Sequence, residues 1–160
     1  MKTVTRLTAI PENSVITSGF GKIDYSDIYR IFKRTNNTAE EITTRLFKLP
    51  KWADWLMSIR DAIVRVFRLK TRKEILQDFP MQNFPIISQH ENELVSGAND
   101  NHLDYRLSVL IDREKSFISF TTIVRFNNFL GRLYFLPVKL FHKIIVKTIL
   151  KREAVYEIEK

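Results

Sequence analysis

Between His102 and Phe126 the chain alternates apolar and polar residues twice in succession, with one short polar break between the two runs. Leu103, Tyr105, Leu107, Val109 and Ile111 share one parity, and Asp104, Arg106, Ser108 and Asp112 the other. After the break Ile118, Phe120, Thr122, Val124 and Phe126 make a second apolar row. Side chains of a strand point alternately to its two faces, so two such runs joined by a short loop predict an antiparallel hairpin with one face buried. If Asp112-Arg113-Glu114-Lys115 is the loop, Ile111 pairs with Ser116, Leu103 stands beside Val124 and Tyr105 beside Thr122. A one-residue slip would turn one apolar row away from the other. On the opposite face this register brings His102 next to Arg125, with Asp104 on the diagonal.

Other elements gather around this hairpin. Phe84–Gln89 and Glu93–Gly97 read as preceding strands of a meander, and Asp24–Lys33 as a first strand. Thr38 with Glu41 three residues on is a capping box, predicting a helix to about Lys48. Pro50 ends that helix and suits the first position of another, running to about Leu69. There Trp52, Trp55, Leu56, Ile59, Ile63, Val66 and Phe67 recur at three- and four-residue steps. A last helix runs from near Asn128 to about Glu153, with Pro137 expected to kink it. Leu133, Leu136, Leu140 and Ile144, then Tyr134, Val138, Phe141, Ile145 and Ile149, predict a wide buried stripe. Lys139, Lys143, Lys147 and Lys151 predict an exposed basic edge. The expected fold is α+β: a curved antiparallel sheet, two short helices after the first strand and a long C-terminal helix packed on the sheet. Residues 1–160 read as one domain, with residues 1–20 weakly patterned.

Several function classes drop out. Without cysteine there is no disulfide, thiolate nucleophile or cysteine-bound metal, which suits the cytoplasm. No export signal is visible, and the most apolar stretch, Leu133 to Leu150, is broken by Lys139, His142, Lys143 and Lys147, so no transmembrane segment is expected. The net charge of +8 invites an anionic partner, its basic residues concentrating in Lys48 to Lys73 and Arg132 to Arg152. A solvated surface accounts for much of it; the alternative is peripheral contact with an anionic membrane through Lys139, Lys143, Lys147 and Lys151, or with a protein. Nucleic acid is not expected, because the aromatic residues fall on faces predicted to be buried.

His102, Asp104 and Arg125 are a histidine, carboxylate and guanidinium that pattern alone brings together, and a general acid or base could be built from them. The plainer reading is an ion-pair cluster on the outer face of a sheet. His142 stands as a second candidate, against a helix-surface role. His90 has no evident partner, so a metal site with the other histidines is not expected. There is no G-x-S-x-G and no P-loop.

The order of elements resembles the helix-grip fold of the Bet v 1 and START-like superfamily. The segments Lys22–Asp27, Trp55–Asp61, His102–Val109 and Thr121–Asn127, with Leu130–Tyr134 and the Phe141-His142 pair, resemble the bacterial family called domain of unknown function 2867. Some of its members look like C-terminal extensions of NAD(P)-binding domains, but only Gly19 and Gly21 stand where a G-x-G-x-x-G would be sought, so no cofactor expectation carries over. The pattern expects a proline just before the Phe-His pair, where this chain has Leu140, with Pro137 one turn earlier. What the helix-grip resemblance implies is a hydrophobic small molecule or lipid held between sheet and final helix, lined by Tyr105, Leu107, Phe120, Thr122, Phe141 and Ile145. An enzyme acting on such a ligand is the alternative. Tyr105 and Thr122, the polar members of their rows, would orient the ligand or simply bond to each other.

Overall fold

A computed structural model describes residues 3–48 and 85–156 of the chain. The helix expected from Pro50 to Leu69, with Trp52 and Trp55, lies outside the described residues, as do Phe84 and the basic stretch beyond Lys48. The architecture is α+β. Strands β1 (Thr5–Leu7), β2 (Tyr25–Phe32), β3 (Ile86–Gln89), β4 (Glu93–Asn99), β5 (Leu103–Asp112) and β6 (Phe117–Phe126) form one curved, open antiparallel sheet. Its order is β1-β2-β6-β5-β4-β3. Helix α1 (Ala39–Leu46) follows β2, and the 27-residue helix α2 (Phe129–Val155) packs on the sheet. The capping box starts α1 as expected: Thr38 Oγ1 accepts the Glu41 N–H at 3.3 Å and Glu41 Oε2 accepts the Thr38 N–H at 2.9 Å.

The β5–β6 hairpin keeps both apolar rows on one face, but its register differs from the expected one by two residues. Leu103 faces Phe126, Tyr105 faces Val124 and Leu107 faces Thr122. Ser116 has φ 53°, in the left-handed region, and therefore belongs to the turn. Asp112 stays in the strand and accepts the Lys115 N–H on Oδ1 at 2.8 Å. The four-residue loop thus begins one residue later, and every pair moves by two, which leaves the faces unchanged.

The inner face of the sheet and the helices enclose the main core, with Ile31, Val109, Ile118 and Phe120 packed with Ile42 and Leu46 of α1 and Ile149 and Leu150 of α2. The outer face is covered too, by the N-terminal residues that showed little pattern. Ile16 and Phe20 pack with Val95 and Ile123. The buried Glu93 carboxylate accepts the Val15 N–H at 2.8 Å, and Arg106 donates to the Ile16 and Ser18 carbonyls. The three residues of β1 are too few to show alternation, so this edge strand adds to the expected set; it pairs with β2, Arg6 facing Tyr29.

Helix α2 corrects the expectation most. Its buried residues are Gly131, Phe135, Val146, Ile149, Leu150, Glu153 and Ala154. Leu133, Leu136, Leu140 and Ile144, expected inside, are exposed. Lys147 and Lys151 are exposed as expected, whereas Lys139 and Lys143 are half-buried. Two constraints near its ends fix the orientation. At Gly131 a Cβ would stand 2.0 Å from the His102 carbonyl oxygen, so only glycine lets the first turn sit against the sheet. Near the other end Glu153, 2 % exposed, accepts from Lys33 Nζ at 2.8 Å and from Arg45 Nη2 at 2.9 Å.

Candidate functional site

The alternation of β2 turns Tyr25, Asp27, Tyr29 and Ile31 toward α2, because they face Val124, Thr122, Phe120 and Ile118, the inward row of β6. A carboxylate thus sits in a row that is otherwise aromatic and aliphatic. Asp27 is 1 % exposed. One of its oxygens, Oδ1, accepts from Arg6 Nε at 3.1 Å, the arginine reaching in from β1 while staying half in solvent. Its other oxygen, Oδ2, has no hydrogen-bond partner, and neither has the buried Tyr25 hydroxyl.

From the helix, His142 brings its Nε2 to 2.9 Å from Thr122 Oγ1, the residue directly opposite Asp27. Phe120 flanks the imidazole at a ring separation of 6.3 Å. Burial pulls the His142 pKa down to about 4; the Asp27 charge works against that shift and Lys143 adds slightly to it. The ring is therefore neutral at pH 7, one nitrogen a donor and the other an acceptor. Burial, followed by the Asp27 charge, pushes the Tyr29 phenol up to about 12 and raises Tyr25 in the same way. Both phenols thus feel the carboxylate, although the Tyr25 hydroxyl closes no hydrogen bond of ordinary geometry with it. Phe135 meets the Tyr25 ring edge-on at 4.8 Å, and the Lys139 ammonium lies 5.0 Å from its centroid.

The cluster is thus a neutral imidazole bonded to a threonine, with a carboxylate oxygen and a phenol that interact without closing a well-formed hydrogen bond, set in an apolar face. Its free valences match a small polar group such as a hydroxyl or an amide.

Two of the residues singled out by sequence, Thr122 and His142, are joined here, though each was reached by a different argument. Tyr105 stands opposite Val124 rather than Thr122, packed between two parts of the core. Leu107 and Phe120 are buried on the same inner face, while Phe141 and Ile145 are half-buried on α2. Asp104 and Arg125 face each other directly on the outer face, bonded through Arg125 Nε at 3.0 Å and through Nη2. Arg125 also donates to the Phe20 carbonyl, so this pair lies beneath the N-terminal segment. His102 turns elsewhere: its Nδ1 is 3.8 Å from Asp100, and its carbonyl accepts the Asn127 N–H at 2.9 Å. It belongs to the corner where α2 begins, together with the cap Asn128, whose Oδ1 accepts the Gly131 N–H at 3.0 Å. His90 sits exposed in the turn after β3. Among the described residues no three His, Asp or Glu side chains gather as a metal site would require.

Sequence reasoning missed Asp27, Tyr25, Tyr29 and Arg6. The signal was parity, since Asp27 falls on the same face of β2 as two tyrosines and Ile31.

Residues 20–149 match the family described as protein of unknown function, DUF2867, and the chain belongs to that family. No curated protein and no solved structure matches it.

Proposed function

Since that family comes with no assigned chemistry, function has to be read from the residues, and we propose that the domain binds a hydrophobic small molecule or lipid between the inner sheet face and α2. The apolar part of the ligand lies against Leu107, Phe120, Phe141 and Ile145, with Tyr105 and Thr122 at its border. Its polar end, a hydroxyl or amide, donates to Asp27 Oδ2 and meets the Tyr25 hydroxyl. His142, neutral and held by Thr122, orients that end. The observation that carries this reading is the pair of buried, unpartnered atoms, Tyr25 Oη and Asp27 Oδ2, on one face. An unpaired buried polar group costs about 1–3 kcal/mol, and although Tyr25 interacts with the Asp27 carboxylate, neither atom closes a well-formed hydrogen bond, which supports a partner that arrives from outside. The resemblance to helix-grip domains supports the same place for a ligand, and the cysteine-free sequence supports a cytoplasmic setting.

The test is native mass spectrometry of the chain purified from its own host, followed by solvent extraction. The expected result is a near-stoichiometric adduct that yields an apolar molecule bearing a hydroxyl or amide. A bare mass, combined with His142 imidazole resonances that stay unmoved by added 1-dodecanol, rules the proposal out.

A further inference from the structure

Of the seven large apolar side chains exposed along α2, which include Leu130 and Val155, five line up. Phe129, Leu133, Leu136, Leu140 and Ile144 follow one another at steps of four, three, four and four residues, so they form one continuous row on the helix. Phe129 is 73 % exposed, Leu136 62 % and Leu140 64 %. The same row continues at Lys147 and Lys151, and Arg132 and Lys143 flank it. From Phe129 to Arg152 the helix carries no carboxylate; its single acid, Glu153, is buried and paired on the other face. Among the described residues no helix is long and apolar enough to cross a membrane.

We infer that this face of α2 docks on the surface of an anionic lipid bilayer, the helix lying parallel to it. The leucines and Phe129 enter the boundary between headgroups and acyl chains, and the lysines and Arg132 remain among the anionic headgroups. Charge decides the choice of occupant. A second copy of this chain would bring another basic, carboxylate-free face to the contact and no countercharge, whereas an anionic bilayer offers both the apolar layer and the countercharge. The chain's net charge of +8 acts in the same direction at long range.

Co-sedimentation with vesicles of phosphatidylcholine alone, and of phosphatidylcholine with one quarter phosphatidylglycerol, tests this at low and high salt. Binding is expected only to the anionic vesicles and should fall steeply as salt rises, because each cation near the surface contributes about fivefold. K143E/K147E should weaken it about 25-fold or more. L136S/L140S should weaken it about tenfold per side chain, with its thermal unfolding unchanged because both leucines already face solvent. The inference is overturned by equal binding to both vesicles, by no binding to either, or by binding that survives L136S/L140S. Concentration-dependent dimerisation abolished by L136S/L140S would assign the row to a second copy instead. Loss of thermal stability in that variant would show that another segment of the chain covers it, and the inference would fall.

Discussion

Two polar clusters are buried under α2 about 16 Å apart along its axis, one at His142 and one at Glu153, and they are completed very differently. Around Glu153 every charge is met: Lys33 donates to its carboxylate and to its carbonyl at 2.7 Å, and Arg45 binds both carboxylate oxygens. Burial alone would raise the Glu153 pKa, but the hydrogen bonds from Arg45 and Lys33 outweigh it and hold the carboxyl below its ordinary range. Around His142 the reverse holds. Burial dominates the imidazole, and a carboxylate oxygen and a phenol nearby close no well-formed hydrogen bond. A saturated cluster spends all its hydrogen-bonding capacity on the fold. One with spare valences has capacity for something else, and that difference separates a clamp from a candidate site.

The largest expected effect tests the clamp. Glu153→Gln leaves the Lys33 ammonium, 4 % exposed, without its countercharge, and should cost about 3–5 kcal/mol in urea denaturation. A loss under about 1 kcal/mol would mean that the two clusters do not differ in kind.

Acid separates them next. The folded His142 pKa, about 4, lies below its ordinary 6.5, so between those values the unfolded chain binds the extra proton. Stability carried by the neutral ring is complete well above pH 6.5 and declines as pH falls toward 4, by about 2–3 kcal/mol at pH 4.5. His142→Gln should flatten that decline. The Glu153 contribution, with its pKa depressed from 4.5, is lost only as pH falls below that value. A pH profile identical in wild type and His142→Gln would remove the desolvated imidazole from the account.

The smallest effect is the most discriminating. Tyr25→Phe deletes a hydroxyl that meets the Asp27 carboxylate without closing a well-formed hydrogen bond, so in the ligand-free chain the unfolding free energy should change by less than about 0.5 kcal/mol. A large loss would show that the hydroxyl serves the fold after all.

The clamp and the site were not equally legible in the sequence. Alternation marked β5 and β6 because each is ten residues long and keeps most of its apolar residues on one face, and the capping box of α1 was written in Thr38 and Glu41. Register was harder: the hairpin pairing turned on whether Ser116 adopts φ 53°, which no hydrophobic pattern encodes. The inward face of α2 was hidden for another reason. Apolar residues surround most of that helix, so periodicity offers two rows and cannot choose. The choice is made by a glycine at its start and a glutamate near its end, which periodicity does not score as core. The site itself was half visible: Thr122 stood out as a polar residue in an apolar row, and Asp27, by the same rule applied to β2, would have stood beside it.

Unfolding and native mass, measured together on wild type and Tyr25→Phe, test the central claim most directly. Wild type is predicted to carry a bound molecule that Tyr25→Phe holds less tightly, while the two, once stripped of that molecule by solvent extraction and refolding, unfold with the same free energy. A wild type with no adduct, together with a Tyr25→Phe variant clearly less stable than it, would contradict the claim and make the His142 cluster part of the fold.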